Sequence, residues 1–517
     1  MSLMIYVAPI ALVIIFSVWR KSSSPPKGHP PVIDIPAEDM FRNPRKAYES
    51  ALKKHGPVIG VYRKGRLEFI VDDQFTAEVL TNDSVFSFES GTLTILNLHP
   101  LLLLPRSFIR DIDKLVNEGL VPLMNQIIRK ITPIFEQNML ELTDKARKVT
   151  STDAIPVDLV GLIHKTMAES MLTIIFGETY TTPADIRAAE NIASDIAVLS
   201  GIYQNIGYWS RTFPATWRVI TWVRVMGFSI PWNFVRIIGF RVWKDLRLWS
   251  KSGTTSHLHK ESLLHYLAQR YSSKDTHTVR LTLSDSLWIL GLTLGLLFAS
   301  IHQTYAESSA SCDVAVSHFL LSAAVIIWVV FELAVRPEII PTLRAELQDV
   351  LEVDEHTGKL TLTSASLKNA ERLDSFIREV MRTKGDTLST IRLTMRDVTL
   401  GGYTIPKGQL VCPLATLSHR NPAYHGDDAE EFVGDRWVGQ GKPAVMVSPS
   451  YWPFGLGRFA CPGRALAVAE IKLAVFFLIG RAFPSLEGDK YEVVDPLNIT
   501  SVPPVGQLLL RPAPPMF

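Results

Sequence analysis

One cysteine sets the tightest limit on what this chain can fold into. Cys461 lies in Phe454-Gly-Leu-Gly-Arg-Phe-Ala-Cys461-Pro-Gly463-Arg464, and an apolar run from Ala465 to Phe477 follows. Pro462 suits the first turn of a helix, and glycines on both sides of the thiol permit a tight turn. The pattern therefore presents one thiol at a helix start, where backbone N–H groups favour the thiolate. A thiolate so placed is a candidate axial ligand for heme iron. An isolated cysteine is more often a small buried hydrophobe. That reading accounts for neither Gly455, Gly457 and Gly463 nor the helix behind them.

The other cysteines, Cys312 and Cys412, make neither a disulfide framework nor a zinc spacing with it. Apolar residues form 47% of the 517, enough for a large core, and the net charge of +2 gives no nucleic-acid footprint. After the N-terminal segment there is no repeat, low-complexity linker or long charge run, so one large unit is expected.

Met1 to Trp19 carries no charge. As a helix these residues rise about 28 Å, close to the hydrocarbon thickness of a bilayer. Arg20 and Lys21 follow at once and favour the cytosolic side. A cleaved signal peptide would carry its charge before the apolar stretch and small residues at its end, and neither is present. The expected organisation is a transmembrane anchor over 1–19, a basic, proline-rich spacer over 20–31, and a catalytic domain over 32–517.

Long helical patterns dominate that domain, at Ile109–Glu136, Leu159–Phe176, Leu283–Ile301 and Glu338–Leu351. Val58 to Val71 reads as a hairpin turning at Arg63-Lys-Gly65, and the stretches Gly401–Gly408 and Ile499–Leu510 read as further β elements. A mainly α fold with small β-sheets follows. Ile202–Leu248, rich in Trp, Phe and Arg, fits both a face that dips into a membrane surface and an ordinary aromatic core.

These features together resemble the cytochrome P-450 superfamily of heme-thiolate monooxygenases, and its membrane-anchored fungal members in particular. The cysteine loop is the most specific part of the resemblance. Glu379-Val-Met-Arg382 matches the family's Glu-x-x-Arg, and i, i+3 residues share one helix face. Phe432-Val-Gly-Asp-Arg436-Trp437 resembles a third family segment. The resemblance implies a cytochrome P-450 fold preceded by one N-terminal transmembrane helix, and a buried ion network of Glu379, Arg382 and Arg436. It implies heme b held by Cys461, with Arg392 and Arg458 as candidates for its carboxylates. Two residues before Cys461, where many members place Arg or His, this chain has Phe459.

The resemblance also makes Ala299-Ser-Ile-His302-Gln303-Thr304 the oxygen-activating stretch, with His302 and Thr304 as a variant proton relay. The 18 residues Tyr305–Ser322 interrupt that helix pattern, which resumes at Ala323. They read as a translated retained intron or as a real inserted loop. No Gly-x-Gly-x-x-Gly follows a strand. Electrons would then come from a separate NADPH-cytochrome P-450 reductase in the endoplasmic reticulum membrane, with the catalytic domain cytosolic. The expected reaction is monooxygenation of a lipophilic small molecule, such as a terpenoid, steroid or polycyclic aromatic. A heme-thiolate isomerase or dehydratase, and a catalytically impaired heme protein, are the alternatives. The sequons at Asn82 and Asn498 are expected to stay unmodified on the cytosolic side.

Overall fold

The structure is a computed structural model that describes residues 28–63, 66–149, 153–199, 212–252, 261–275, 278–301, 321–353, 358–384, 391–493 and 504–517. The expected anchor, His302, Gln303, Thr304, Cys312 and Asn498 lie outside the described residues.

A helical core carries most of the described chain. Helix α1 spans Phe88–Ile95, α2 Met124–Val149, α3 Leu159–Phe176, α4 Leu283–Ile301, α5 Leu321–Ala334, α6 Glu371–Thr383 and α7 Arg464–Ile479. The apolar side chains Phe135 and Met139 of α2, Leu172 and Ile175 of α3, Trp328 of α5, and Leu473 and Phe476 of α7 meet in one buried cluster. Helix α3 is capped by Asp158, whose carboxylate accepts from Gly161 N–H, and ends at Gly177 with φ 96°. It is long and apolar enough to cross a membrane, yet most of it is buried in this core.

The main sheet lies beside the helices. It contains β1 (Val32–Ile33), β2 (Val58–Arg63), β3 (Arg66–Val71), β4 (Phe86–Ser87), β5 (Arg392–Thr394) and β6 (Leu410–Pro413). The strand order is β1-β2-β3-β6-β5-β4. The expected hairpin is β2–β3, paired from Val58↔Val71 to Arg63↔Arg66. The Gly401–Gly408 stretch forms a second small hairpin, Val398–Leu400 with Tyr403–Ile405. A third sheet joins Ala482–Leu486, Leu508–Pro512 and Ile155–Pro156.

The expected single helix over Ile109–Glu136 is broken. Phe108–Leu115 is followed by a wide turn at Val116–Leu120 and a tight one at Val121–Leu123 before α2 begins. Pro122 donates no N–H and its ring crowds the carbonyl four residues back, so the regular ladder cannot run through it. The described part of the aromatic stretch is divided between core and surface. Val225, Ile230, Phe234, Ile238 and Trp249 face the core, while Phe228 (70% exposed), Trp232 (62%) and Phe240 (69%) face outward.

Candidate active site

The cysteine loop folds as its glycines demand. Gly455 and Gly457 both take φ 75°, a region costly for other residues. A Cβ on Gly457 would lie 3.0 Å from the Thr81 methyl. Gly457–Phe459 makes one tight turn, and Cys461 N–H donates to Phe454 O at 2.7 Å. Arg464 then donates from Nη1 to Cys461 O at 2.8 Å, and from Nε to Val445 O at 3.2 Å. The backbone around the thiol is thus held from both ends, with α7 starting immediately behind it.

Cys461 is exposed by surface area, although burial is the largest influence on its thiol. Burial pushes the thiol pKa up, against the downward pull of Gly463 N–H and the Arg464 charge. The expectation that the helix start alone would lower it is corrected: desolvation outweighs the N-terminal N–H groups. A metal ion that replaces the proton reverses that balance. Cys412 is a different environment. It is buried in β6 with Arg63 Nη1 3.6 Å from its sulfur.

Glu379, Arg382 and Arg436 come together behind the loop. Arg382 donates to both Glu379 oxygens, at 2.7 and 2.8 Å, and Arg436 Nε donates at 3.2 Å. Val433 N–H and the Trp437 indole complete the carboxylate's shell at 3.0 and 3.1 Å. Arg382 also donates to the carbonyls of His419, Ala429 and Glu431. Burial would raise the Glu379 carboxyl, but the Arg382 hydrogen bonds and charge, Val433 N–H and Arg436 hold it below its ordinary value.

The two candidate heme-carboxylate residues differ. Arg392 opens β5, is 1% exposed, and donates to Ile391 O and Leu80 O at 3.3 Å. Burial brings its guanidinium down to about 10, with the Asp83 charge opposing. Arg458 is exposed, and its charge acts on Asp113. An accessible thiol held at the start of α7, with the buried Arg392 as a candidate cation for an acidic side arm, fits an iron porphyrin.

Some groups gave no signal in the chain's pattern. His419 is buried against Tyr451 and Trp452, and its Nε2 accepts from Trp452 N–H at 2.8 Å. Burial holds that ring neutral, well below the usual histidine range. Phe88 stacks on Phe459. Only three-dimensional proximity identifies them.

Glu470, on α7, is 2% exposed, and its Oε1 has no hydrogen-bond partner. Burial raises its carboxyl to about 8. A carboxyl whose folded pKa is raised stays protonated while the unfolded chain ionises, so stability falls as pH rises between the two values. Glu470→Gln should therefore stabilise the protein by on the order of 3 kcal/mol at pH 8 and by little at pH 4. Urea unfolding at the two pH values checks this, and an equal effect at both would contradict it.

The cytochrome P-450 family profile matches residues 322–502. A cytochrome P-450 monooxygenase of Nectria sp is 32% identical over 194 residues, covering 35% of this chain and 36% of that protein. One from Ganoderma lucidum is 33% identical over 202 residues, 37% of this chain and 38% of its own length. Residues 322–502 therefore resemble the cytochrome P-450 superfamily. A rice protein named abscisic acid 8'-hydroxylase 3 is 32% identical over 158 residues, 31% of this chain and 30% of that protein. The alignments thus span about a third of these relatives' length. The mainly helical architecture with small sheets fits the cytochrome P-450 fold, and that resemblance implies heme with a cysteine thiolate on iron.

Proposed function

We propose that this chain is a cytochrome P-450 monooxygenase that places one atom of dioxygen into a lipophilic small molecule, with Cys461 holding the heme iron. The carrying observation is the Cys461 thiol, accessible at the surface of its glycine loop and set immediately before α7. The bound heme supplies dioxygen activation. Cys461 Sγ would supply the anionic donor, and Arg392 and Arg458 would be the candidates to hold the porphyrin carboxylates. Thr304 and His302 would hold and relay the protons that the reaction consumes.

Electrons come from NADPH through a separate flavoprotein reductase. Residues 1–19 anchor the chain in the endoplasmic reticulum membrane, catalytic domain cytosolic. The outward apolar face of 212–252, with seven basic residues and one acidic, rests on the same surface. The family match begins at residue 322, where the 305–322 segment ends, which supports its reading as a retained intron.

Expression with a reductase, with and without 305–322, tests this reading. Product formation should require both NADPH and dioxygen, be strongest in the shorter form, and uncouple in Thr304→Ala. The full chain should resist carbonate extraction from membranes until 1–19 is deleted. Turnover without NADPH would instead identify an isomerase or dehydratase. A dominant transcript that keeps the 54 nucleotides of the segment would refute the intron.

A further inference from the structure

Four side chains form a ladder from the cysteine loop to the main sheet. Arg458 Cζ lies 5.4 Å from the centroid of the Phe459 ring. The Phe459 ring stacks on Phe88 with centroids 5.2 Å apart and planes at 21°. On β5, Arg392 Cζ lies 4.8 Å from the centroid of the Phe88 ring. A cation at each end thus faces two stacked aromatic rings.

Phe88 is fixed in place by its backbone. Its N–H donates to the Asp83 carboxylate at 2.9 Å, and Ser87 caps α1 by accepting from Ser90 N–H at 3.2 Å. Helix α1 lies so close to β5 that a Cβ on Gly91 would stand 2.8 Å from Ile391 O and 3.0 Å from Arg392 Cα. The close approach fixes the α1 backbone that carries Phe88 against the strand that carries Arg392. Gly457, two residues before Phe459, packs as closely on Thr81, and Arg392 donates to the neighbouring Leu80 carbonyl. The cysteine loop, α1 and β5 therefore converge on one small region.

A cation over an aromatic face is favoured most where water is excluded, and a guanidinium stacked on a ring loses orientational freedom. Arg392 is nearly fully buried at its end of the ladder. A planar guanidinium held in one orientation is ready for two parallel hydrogen bonds to a carboxylate. We propose that Phe88 and Phe459 position Arg392 for a carboxylate of the bound porphyrin, so that heme retention depends on this aromatic pair where position 459 carries no basic side chain. The proposal rests on the heme-thiolate reading. It makes Phe88 and Phe459 positioning residues, and it gives Phe459 a role in place of the basic side chain absent there.

The test is the rate at which the full-length holoprotein loses heme to excess apomyoglobin, with the reduced carbon monoxide spectrum recorded for each protein. Phe88→Leu and Phe459→Leu keep apolar bulk but remove a ring from opposite sides of the stack, so one can stand in if the other fails to fold. Each should lose heme about tenfold faster than wild type while retaining the thiolate-type carbon monoxide band. Phe88→Tyr, which keeps the ring, should stay within about twofold, and Phe88→Leu/Phe459→Leu together should be little faster than either alone. Leu variants within about twofold of wild type, with the band intact, overturn the ladder and leave the heme-thiolate reading standing. A wild-type protein without the thiolate band overturns both.

Discussion

Cys461→Ser should fold, abolish the thiolate-type reduced carbon monoxide band, and reduce turnover by roughly a thousandfold or more, about 4 kcal/mol of barrier. The backbone of the loop gives the reason the fold survives. Cys461 N–H donates to Phe454 O, and Arg464 donates to Cys461 O. Neither bond involves the sulfur. The chemistry gives the reason the activity does not survive. A serine hydroxyl has nearly the same shape, but it ionises far less readily than a thiol and cannot supply the electron-rich sulfur donor that assists O–O cleavage. Cys412→Ser is the matched control. That thiol is buried in β6 beside Arg63 and should leave both band and turnover unchanged. A thiolate band that persists in Cys461→Ser, or disappears in Cys412→Ser, would place the ligand elsewhere.

What could be read from the chain depended on how local its cause was. Leu159–Phe176 and Leu283–Ile301 fold over the expected spans because propensity, capping and apolar period agree within each segment. The hairpin of β2 and β3 was equally visible, since a short polar turn separates two apolar runs. Ile109–Glu136 was misread because its apolar period continues across Pro122 while its hydrogen-bond ladder cannot. Cys461, Glu379 and Arg382 were legible because each lies in a short pattern with a chemical reason. Their partners were harder. Trp437 and the Val433 N–H reach Glu379 from more than fifty residues away, and no period of the sequence reports that. Phe88 is separated from Phe459 by most of the chain, so the ladder becomes visible only once α1 lies against β5. The sign of the Cys461 shift likewise depends on how much protein surrounds the thiol, which a motif does not record.

Glu379→Ala should destabilise the protein by about 3–5 kcal/mol, because it removes the acceptor and leaves the donors behind. Arg382 is 1% exposed and would lose both bonds to the carboxylate. Arg436 would keep Asp428, to which Nη1 donates at 2.8 Å, while Val433 N–H and the Trp437 indole would each lose the Glu379 bond. Arg382→Ala removes a cation instead, and Glu379 would still accept from Arg436, Val433 and Trp437. The loss there falls on the carbonyls of His419, Ala429 and Glu431 and on the volume vacated. The double variant should therefore cost less than the two single losses added, by roughly 1–3 kcal/mol, since it avoids stranding either charge. The pH dependence has a definite sign. Glu379 has a depressed folded pKa, so its contribution is present above the ordinary value of 4.5 and fades as pH falls through the folded value. Wild type should accordingly lose stability on acidification through that window more steeply than Glu379→Ala. Urea unfolding of the holoprotein at pH 7 and at stepped acid pH measures both effects. A Glu379→Ala protein within about 1 kcal/mol of wild type at pH 7 would show that the network contributes little to the fold.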